Sequence, residues 1–303
     1  MGIRFDDRVA IITGSGGGLG RAYALNLASL GARVVVNDPG GAVDGRGGDA
    51  SAADKVVAEI RAQGGEAVAS YDSVASMAGA QGIVDTAMKA FGRVDVLVNN
   101  AGILRDKTFA KMDIADFEAV FQVHFMGSVY CTKAAWPVMQ EQKYGRVVLT
   151  TSMAGLVGNF GQANYGSAKT AMVGLMNVLG QEGAKSNIRI NCISPVAGET
   201  RMAGPISDDK LKPYITADHV APAVAWLSSD QCNVSGEIVG ASGGYYTAVR
   251  YFRSEGVLFP DEQPLSVDQF AEAADRIFDF SKNVPFTGTM REFIRLMQEA
   301  GKF

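Results

Sequence analysis

The sequence has little histidine and cysteine, the side chains on which most metal sites and disulfide frameworks depend. Its 303 residues include two His, His124 and His219, and three widely spaced Cys, Cys131, Cys192 and Cys232. No C-x-x-C or H-E-x-x-H spacing occurs. We therefore expect no bound metal and no disulfide framework, and a reducing compartment fits best.

Long hydrophobic runs and basic clusters are also missing. The apolar run at 9–13 is too short for a signal peptide or a membrane span. A formal net charge of −4 without Lys/Arg runs argues against a nucleic-acid partner. The final residues, GKF, do not form a peroxisomal S-K-L address. These features favour a cytoplasmic protein that binds neither membranes nor nucleic acids.

Short apolar runs alternate with helix-length amphipathic segments through most of the chain. Strands are predicted at 9–13, 33–38, 66–70, 94–100, 146–152, 188–194 and 236–242, with helices near 19–30, 49–62, 75–91, 114–142, 162–185 and 217–229. Apolar strands separated by helices are typical of a parallel sheet covered on both faces. The fold class is therefore predicted as α/β, a doubly wound, Rossmann-type sheet of seven parallel strands.

After Gly244 the alternation stops. Residues 245–303 contain two predicted helices, near 266–281 and 289–300, with Pro260, Pro264 and Pro285 as breaks. Their apolar residues recur at helical spacing but are too few for an independent core. We therefore expect a main α/β domain at 1–244 and a helical appendage at 245–303 that packs on it.

A Gly-rich turn, TGSGGGLG at 13–20, follows the first predicted strand and opens a helix. Glycines at this position let the backbone approach a pyrophosphate at the helix N-terminus, which makes Gly14, Gly18 and Gly20 candidate phosphate-binding residues. The alternative is a tight turn with no ligand. The turn does not end in Lys-Ser/Thr, so it is not a P-loop.

Asp38 closes the second predicted strand, eighteen positions after Gly20. An acidic side chain there can accept both hydroxyl protons of an adenosine ribose and would repel a 2′-phosphate, which favours NAD over NADP. Arg46, in the Gly-rich loop at 38–51, is the residue that could reverse this preference. Alternatively, DPGG only starts a turn.

Tyr165 and Lys169 are four residues apart, and Ser152 lies thirteen residues before the Tyr. The Tyr and Lys share a helix face, an arrangement that alone also occurs on solvated helices. Base catalysis by Tyr near pH 7 requires its pKa to fall by roughly 3 units, or about 4 kcal/mol. An ammonium about 4 Å away supplies about that much at an effective dielectric of about 20. A Ser hydroxyl can then stabilise the reacting oxygen.

Three motifs together resemble the short-chain dehydrogenase/reductase family: T-G-x3-G-x-G at 13–20, NNAG at 99–102, and S-x12-Y-x3-K ending at Lys169. The resemblance covers residues 8–245. Within the family, VVVNDPGG, VNNAGILRD, VGNFGQANY and KYGRVV are similar to the (3R)-hydroxyacyl-CoA dehydrogenase part of type 2 peroxisomal multifunctional enzymes. That subfamily also has the long loop at 38–51 and the appendage.

The resemblance implies a role for each motif residue. Tyr165 would be the catalytic acid/base, Lys169 would hold the nicotinamide ribose and lower the pKa of the Tyr, and Ser152 would bind the substrate oxygen. The remaining cofactor candidates are Leu19 in the Gly-rich turn, Ser73, Val74 and Asn100 on the adenosine side, and Ala197 to Thr200 on the nicotinamide side.

Two positions depart from the usual family pattern. His124 stands where most members have an active-site Asn, although the multifunctional-enzyme subfamily shares the His. It either takes part in a proton relay or is a polar residue satisfied inside a helix. Pro195-Val196 replaces the family's Pro-Gly, which affects only the local loop shape.

The expected function is NAD-dependent oxidation of (3R)-3-hydroxyacyl-CoA to 3-oxoacyl-CoA by a homodimer. A hydroxysteroid or steroid-side-chain-CoA dehydrogenase is the alternative within enzymes, because the loop at 201–215 does not reveal the substrate. A catalytically silent NAD-binding scaffold is the alternative from another class, and the intact Ser152, Tyr165 and Lys169 argue against it.

Overall fold

Each of the seven apolar runs contains a strand of one sheet. The computed structural model describes residues 2–47, 51–196, 210–259, 264–285 and 289–301. The strands are β1 (Val9–Thr13), β2 (Arg33–Asn37), β3 (Glu66–Ser70), β4 (Val96–Asn99), β5 (Gly145–Thr150), β6 (Ile188–Val196) and β7 (Ile238–Ser242). Neighbouring strands of this set pair in parallel. For example, Ile11 of β1 pairs with Val35 of β2 on one side and with Leu97 of β4 on the other.

The strand order is β3-β2-β1-β4-β5-β6-β7. The chain winds outward from β1 to β3, returns to β4 on the other side of β1, and winds outward again. In such a sheet, ligands bind at the carboxyl ends of the strands where the order reverses, here between β1 and β4. The fold therefore places the Gly-rich turn after β1 beside the end of β4.

An eighth strand, β8 (Tyr245–Val249), extends the same sheet next to β7. The prediction of seven strands, all parallel, was wrong in this respect. Gly243 and Gly244 both have positive φ, 54° and 83°, and form a two-residue hairpin turn, which makes β8 antiparallel to β7. Because β8 keeps most of its side chains partly or fully exposed, it lacks the buried pattern of the other strands.

The helices mostly match the predicted segments. They are α1 (Gly18–Ser29), α2 (Ser51–Ala62), α3 (Met77–Phe91), α4 (Ile114–Phe121), α5 (Gly127–Gln142), the short α6 (Met153–Leu156), α7 (Ala163–Gly183) and α8 (Ala221–Ser228). The segment predicted as one helix at 114–142 is interrupted by a π-helical turn, Gln122–Met126, between α4 and α5. Such turns are frequent at functional sites.

The chain divides into two compact units, Met1–Ala248 and Val249–Phe303. The second contains α9 (Val267–Ile277), α10 (Thr289–Glu299) and a two-stranded pairing of β9 (Phe252–Arg253) with β10 (Val284–Pro285). Ser266 caps α9 in a reciprocal bond pair with Gln269, which fixes where that helix begins. Among the helices of the described ranges, none has the length and apolarity that a membrane crossing requires.

Candidate active site

Two positions of the turn after β1 have room only for glycine. Gly14 has a φ of +64°, and a Cβ there would lie 2.7 Å from the Cα of Ala101. A Cβ on Gly20 would lie 2.3 Å from the carbonyl oxygen of Gly14. A side chain is thus excluded at Gly14 and at Gly20, and the backbone of the turn leads directly into the N-terminus of α1, where N–H groups favour an anion.

A cleft of about 380 Å³ opens beside this turn. Eight of the predicted cofactor residues line it: Gly14, Gly18, Leu19, Gly20, Asp38, Ser73, Val74 and Asn100. Ala197 and Thr200 lie outside the described residues. A backbone cradle at a helix N-terminus, with a carboxylate at the end of the second strand, fits the diphosphate and ribose of a dinucleotide.

Asp38 is buried at the end of β2 and held from two sides. One carboxylate oxygen accepts from the backbone N–H of Gly16 at 2.9 Å, and the other from that of Gly40 at 2.7 Å. Arg46 is an exposed side chain paired with Asp44 at 3.6 Å, and it is not among the residues lining the cleft. The position of Arg46 therefore gives no support to a 2′-phosphate site.

Tyr165 and Lys169 lie one turn apart in α7. The ammonium nitrogen of Lys169 is buried, 5.5 Å from the centroid of the Tyr165 ring, and donates to the carbonyl of Thr150 at 2.6 Å. Ser152 caps α6, where its hydroxyl accepts from the N–H of Ala154 at 3.2 Å, and the same hydroxyl lies close enough to Tyr165 to lower the pKa of the phenol. The three residues of the S-x12-Y-x3-K pattern are thus brought together.

The two ionisable members of this group shift in opposite directions. Burial lowers the pKa of Lys169 to about 7. Burial raises the pKa of Tyr165, the hydrogen bond with Ser152 lowers it, and the charge of Asp106 raises it further. Burial of the phenol is the largest of these effects, so the pKa of Tyr165 is raised overall. The expected lowering of this pKa by Lys169 is not seen in the chain by itself. Tyr165 is accordingly a proton donor at neutral pH.

His124 lies in the π-helical turn, fully buried. Its Nε2 lies 3.0 Å from the backbone nitrogen of Ile103 and 2.8 Å from the carbonyl oxygen of the same residue. Its Nδ1 is buried without a hydrogen-bond partner in the part of the chain that the structure describes. Burial, and then the charge of Lys169, hold the pKa of His124 well below its usual value. The imidazole is therefore neutral across the physiological range.

The sequence analysis missed several residues around the cleft and the catalytic helix. Further lining residues are Gly17, Asn37, Pro39, Gly41, Ala42, Val43, Gly45, Gly47, Ala101, Gly102, Ile103 and Val123. Asn164 was also missed: its Nδ2 donates to the carbonyl of Arg105 at 3.0 Å, and its Oδ1 accepts from the N–H of Tyr165 at 2.8 Å. The Gly-rich bias at 38–51 was the available signal for the loop residues.

The cleft at the switch point has a glycine cradle and an acidic strand end, and His124 links its wall at Ile103 to Tyr165 of the Ser-Tyr-Lys group, which itself lies outside the cleft lining. This combination defines a nicotinamide-dependent oxidoreductase of the Rossmann type. Residues 8–211 match the family model described as short chain dehydrogenase. The chain belongs to the short-chain dehydrogenase/reductase family, as the motifs predicted.

Three relatives place the chain within this family. A short-chain type dehydrogenase/reductase of Mycobacterium tuberculosis is 50% identical over 275 residues, covering 91% of this chain and 95% of that protein. The peroxisomal multifunctional enzyme type 2 of Drosophila melanogaster is 43% identical over 99% of this chain, and its full-length structure matches with a TM-score of 0.82. This chain covers 50% of that solved chain. A 7α-hydroxysteroid dehydrogenase complexed with NADH and a 7-oxo bile acid matches over 80% of this chain and 95% of its own, with a TM-score of 0.71 and 32% identity.

Proposed function

We propose that the protein catalyses NAD-dependent interconversion of (3R)-3-hydroxyacyl-CoA and 3-oxoacyl-CoA. The observation that carries this proposal is the grouping of Ser152, Tyr165 and Lys169 at one end of the sheet, in a chain that is 43% identical to a type 2 multifunctional enzyme. Alcohol oxidation needs a base, an oxygen anchor and a hydride acceptor, and no covalent nucleophile.

Each of the three side chains has one task in this chemistry. In the oxidative direction Tyr165 takes the proton of the 3-hydroxyl group, while Ser152 donates a hydrogen bond to the same oxygen. Lys169 lies beside the phenol, and its ammonium form, which predominates below the pKa of about 7, places a positive charge there. Because burial raises the pKa of Tyr165, the phenol is protonated at pH 7. Oxidation should therefore accelerate as the pH rises above neutrality, whereas reduction needs the protonated form.

The cofactor is proposed to be NAD. It would supply the hydride acceptor when bound, the turn at 13–20 would hold its diphosphate, and Asp38 would hold its adenosine ribose. The carboxylate of Asp38 would repel the 2′-phosphate of NADP. The solved hydroxysteroid dehydrogenase holds NADH, which supports a nicotinamide cofactor in this family.

A hydroxysteroid substrate is the second candidate, because that same neighbour holds a 7-oxo bile acid. The lower identity and TM-score of this neighbour compared with the Drosophila enzyme favour the acyl-CoA substrate. A silent NAD-binding scaffold is disfavoured, because the catalytic side chains are all present and grouped.

The deciding experiment is turnover with a substrate panel. It compares (3R)- and (3S)-3-hydroxyacyl-CoA of several chain lengths and a 7α-hydroxy bile acid, each with NAD and with NADP. We expect NAD-linked oxidation of the (3R) series alone. Preference for the bile acid would select the second candidate, and turnover of nothing in the panel would support the scaffold.

We also propose a cytoplasmic homodimer. All three Cys are buried free thiols, which is consistent with a reducing compartment. Oligomers are common among soluble enzymes, and two-fold dimers are the commonest form. Light scattering should give twice the mass of one chain, and fractionation of the source cells tests the compartment.

A further inference from the structure

A strap of residues 39–47 follows Asp38 and reaches from the end of β2 to the segment after β4. The backbone N–H of Leu104 donates to the carbonyl of Val43 at 2.9 Å. The Nε of Arg105 donates to the carbonyl of Asp44 at 3.0 Å. Two cross-bonds close the strap on itself, from Ala42 N–H to the Arg46 carbonyl and from Gly45 N–H to the Ala42 carbonyl.

Gly45 brings the strap into contact with the cleft wall. It has a φ of +82°, and a Cβ on it would lie 3.0 Å from the Cγ2 of Ile103. Gly47 has a similar φ of +73° but would meet nothing within 4 Å. Both glycines line the same cleft as the turn at 13–20. The strap is therefore one wall of the cleft, and at Gly45 it leaves no room for a side chain against Ile103.

Arg105 joins this wall to two other elements. Besides the Asp44 carbonyl, its guanidinium contacts the carboxylate of Asp116 in α4 at 3.2 Å. Its own carbonyl accepts from Asn164, whose side chain also receives the N–H of Tyr165. The side chains of Arg105 and Asp116 are 21% and 18% exposed, and the carboxylate of Asp116 also accepts from Lys107 at 3.2 Å.

We propose that Arg105 is a positioning residue that fastens the strap 39–47 against the dinucleotide cleft and thereby sets the rate at which the reduced cofactor leaves. The proposal rests on the proposed function, because it requires a dinucleotide in this cleft. A planar guanidinium can bond a carbonyl and a carboxylate at once, whereas a Lys ammonium lacks that fixed fork. Opening the cleft wall requires the Arg105 bond to Asp44 to break, and that bond involves a charged donor, which makes it stronger than a neutral one.

The first test measures release of NADH in the stopped flow, with excess NAD as displacing ligand and nicotinamide fluorescence as the signal. Arg105→Lys should raise the dissociation rate about tenfold with a smaller change in the association rate. Arg46→Lys is the matched control, because Arg46 lies on the strap, its side chain is exposed, and among the described residues its ion pair is with Asp44 of the strap itself. An unchanged dissociation rate in a folded Arg105→Lys protein would overturn the proposal.

A glycine pair provides a second, independent perturbation. Gly45→Ala should also speed NADH release, because the added methyl group pushes the strap away from Ile103. Gly92→Ala, just after α3 and outside the cleft lining, introduces similar backbone strain at a φ of +76° where a Cβ meets nothing within 4 Å, and it should leave the release rate near that of wild type. Equal effects of the two substitutions would show that strain alone is responsible and would contradict the assigned contact.

Hydrogen exchange without any cofactor separates the strap from the proposed function. The amides of Ala42, Gly45 and Leu104 should exchange faster in Arg105→Lys than in wild type, and unchanged exchange would overturn the fastening role. If the wild-type protein does not bind NADH, both the proposed function and the proposed effect of Arg105 on NADH release are refuted. The exchange result still decides whether Arg105 fastens the strap.

Discussion

The imidazole of His124 stands edge-on to the ring of Tyr165, with the centroids 5.2 Å apart and the planes at 89°. The other side of the imidazole packs against Gly102, where a Cβ would lie 2.1 Å from Cε1 of the His. His124 thus occupies the space between the catalytic phenol and the loop after β4. Its neutral state and its contacts with the backbone of Ile103 favour a positioning role over proton transfer.

The contact with Gly102 can be tested by coupling two substitutions. Gly102→Ala should destabilise the protein strongly, because neither the buried imidazole nor the backbone has room for a methyl group. His124→Asn frees part of that space, so the double variant should be more stable than Gly102→Ala alone in urea unfolding. Gly174→Ala in α7, where a Cβ meets nothing within 4 Å, is the control and should be neutral or stabilising. Strict additivity of the two effects would contradict the contact.

The role of His124 can be read from the pH dependence of turnover. A neutral imidazole contributes no ionisation between about pH 5.5 and 8, a conclusion that rests on the lowered pKa. His124→Asn should therefore lower kcat without moving the inflections of the pH–rate profile. Loss of an acidic inflection near pH 6.5 in the variant would show that His124 does ionise during the reaction.

Asp38→Ala should narrow the difference in affinity between NAD and NADP by improving NADP binding, because the substitution removes a carboxylate that repels the 2′-phosphate. It also takes the acceptor from the N–H groups of Gly16 and Gly40, which should cost roughly 1–3 kcal/mol of unfolding free energy. Binding of NADH and NADPH and urea unfolding measure the two effects. Arg46→Ala, outside the cleft, should change neither. A wild-type preference for NADP would refute the reading of Asp38.

Burial of Lys169 makes stability depend on pH in a defined direction. Its pKa is about 7 in the folded protein and 10.5 as a free side chain, so the unfolded chain holds an extra proton between these values. Stability should therefore rise with pH across this window, and the burial penalty is complete below pH 7. Lys169→Met removes this pH dependence. The difference in unfolding free energy between the variant and wild type should therefore shift toward wild type by roughly 3 kcal/mol between pH 6 and pH 9. Lys133→Met, exposed on α5, is the control, and a pH-independent difference for Lys169→Met would contradict the shifted pKa.

The doubly wound sheet and the family were predictable because apolar strands and motif spacing are local signals. The strand β8 was missed because a Gly-Gly pair indicates a turn but does not say whether a strand follows it. The π-helical turn was missed because its sequence, QVHFM, continues the helical pattern on both sides. The motif residues could be named, and their grouping at one end of the sheet follows from the topology.

Other features depend on contacts between distant segments. The bond from Arg105 to Asp44 spans 61 positions, and no spacing rule predicts which carbonyl a buried guanidinium will reach. The raised pKa of Tyr165 likewise depends on how deeply the phenol is buried, which the sequence does not state. The charge of Lys169, considered alone, suggested that the pKa of Tyr165 is lowered. Burial therefore has to be known before the pKa of a catalytic group is assigned.

The most direct test of the proposed chemistry is the rate of NAD reduction with (3R)-3-hydroxyacyl-CoA by wild type and by Tyr165→Phe. The variant keeps a ring against His124 and removes only the hydroxyl that exchanges the proton. We expect kcat to fall at least about 10²-fold, the usual scale for a lost general acid/base, while the affinity for NADH changes little. A Tyr165→Phe protein that retains near-wild-type turnover would contradict the assignment of Tyr165 and, with it, the proposed mechanism.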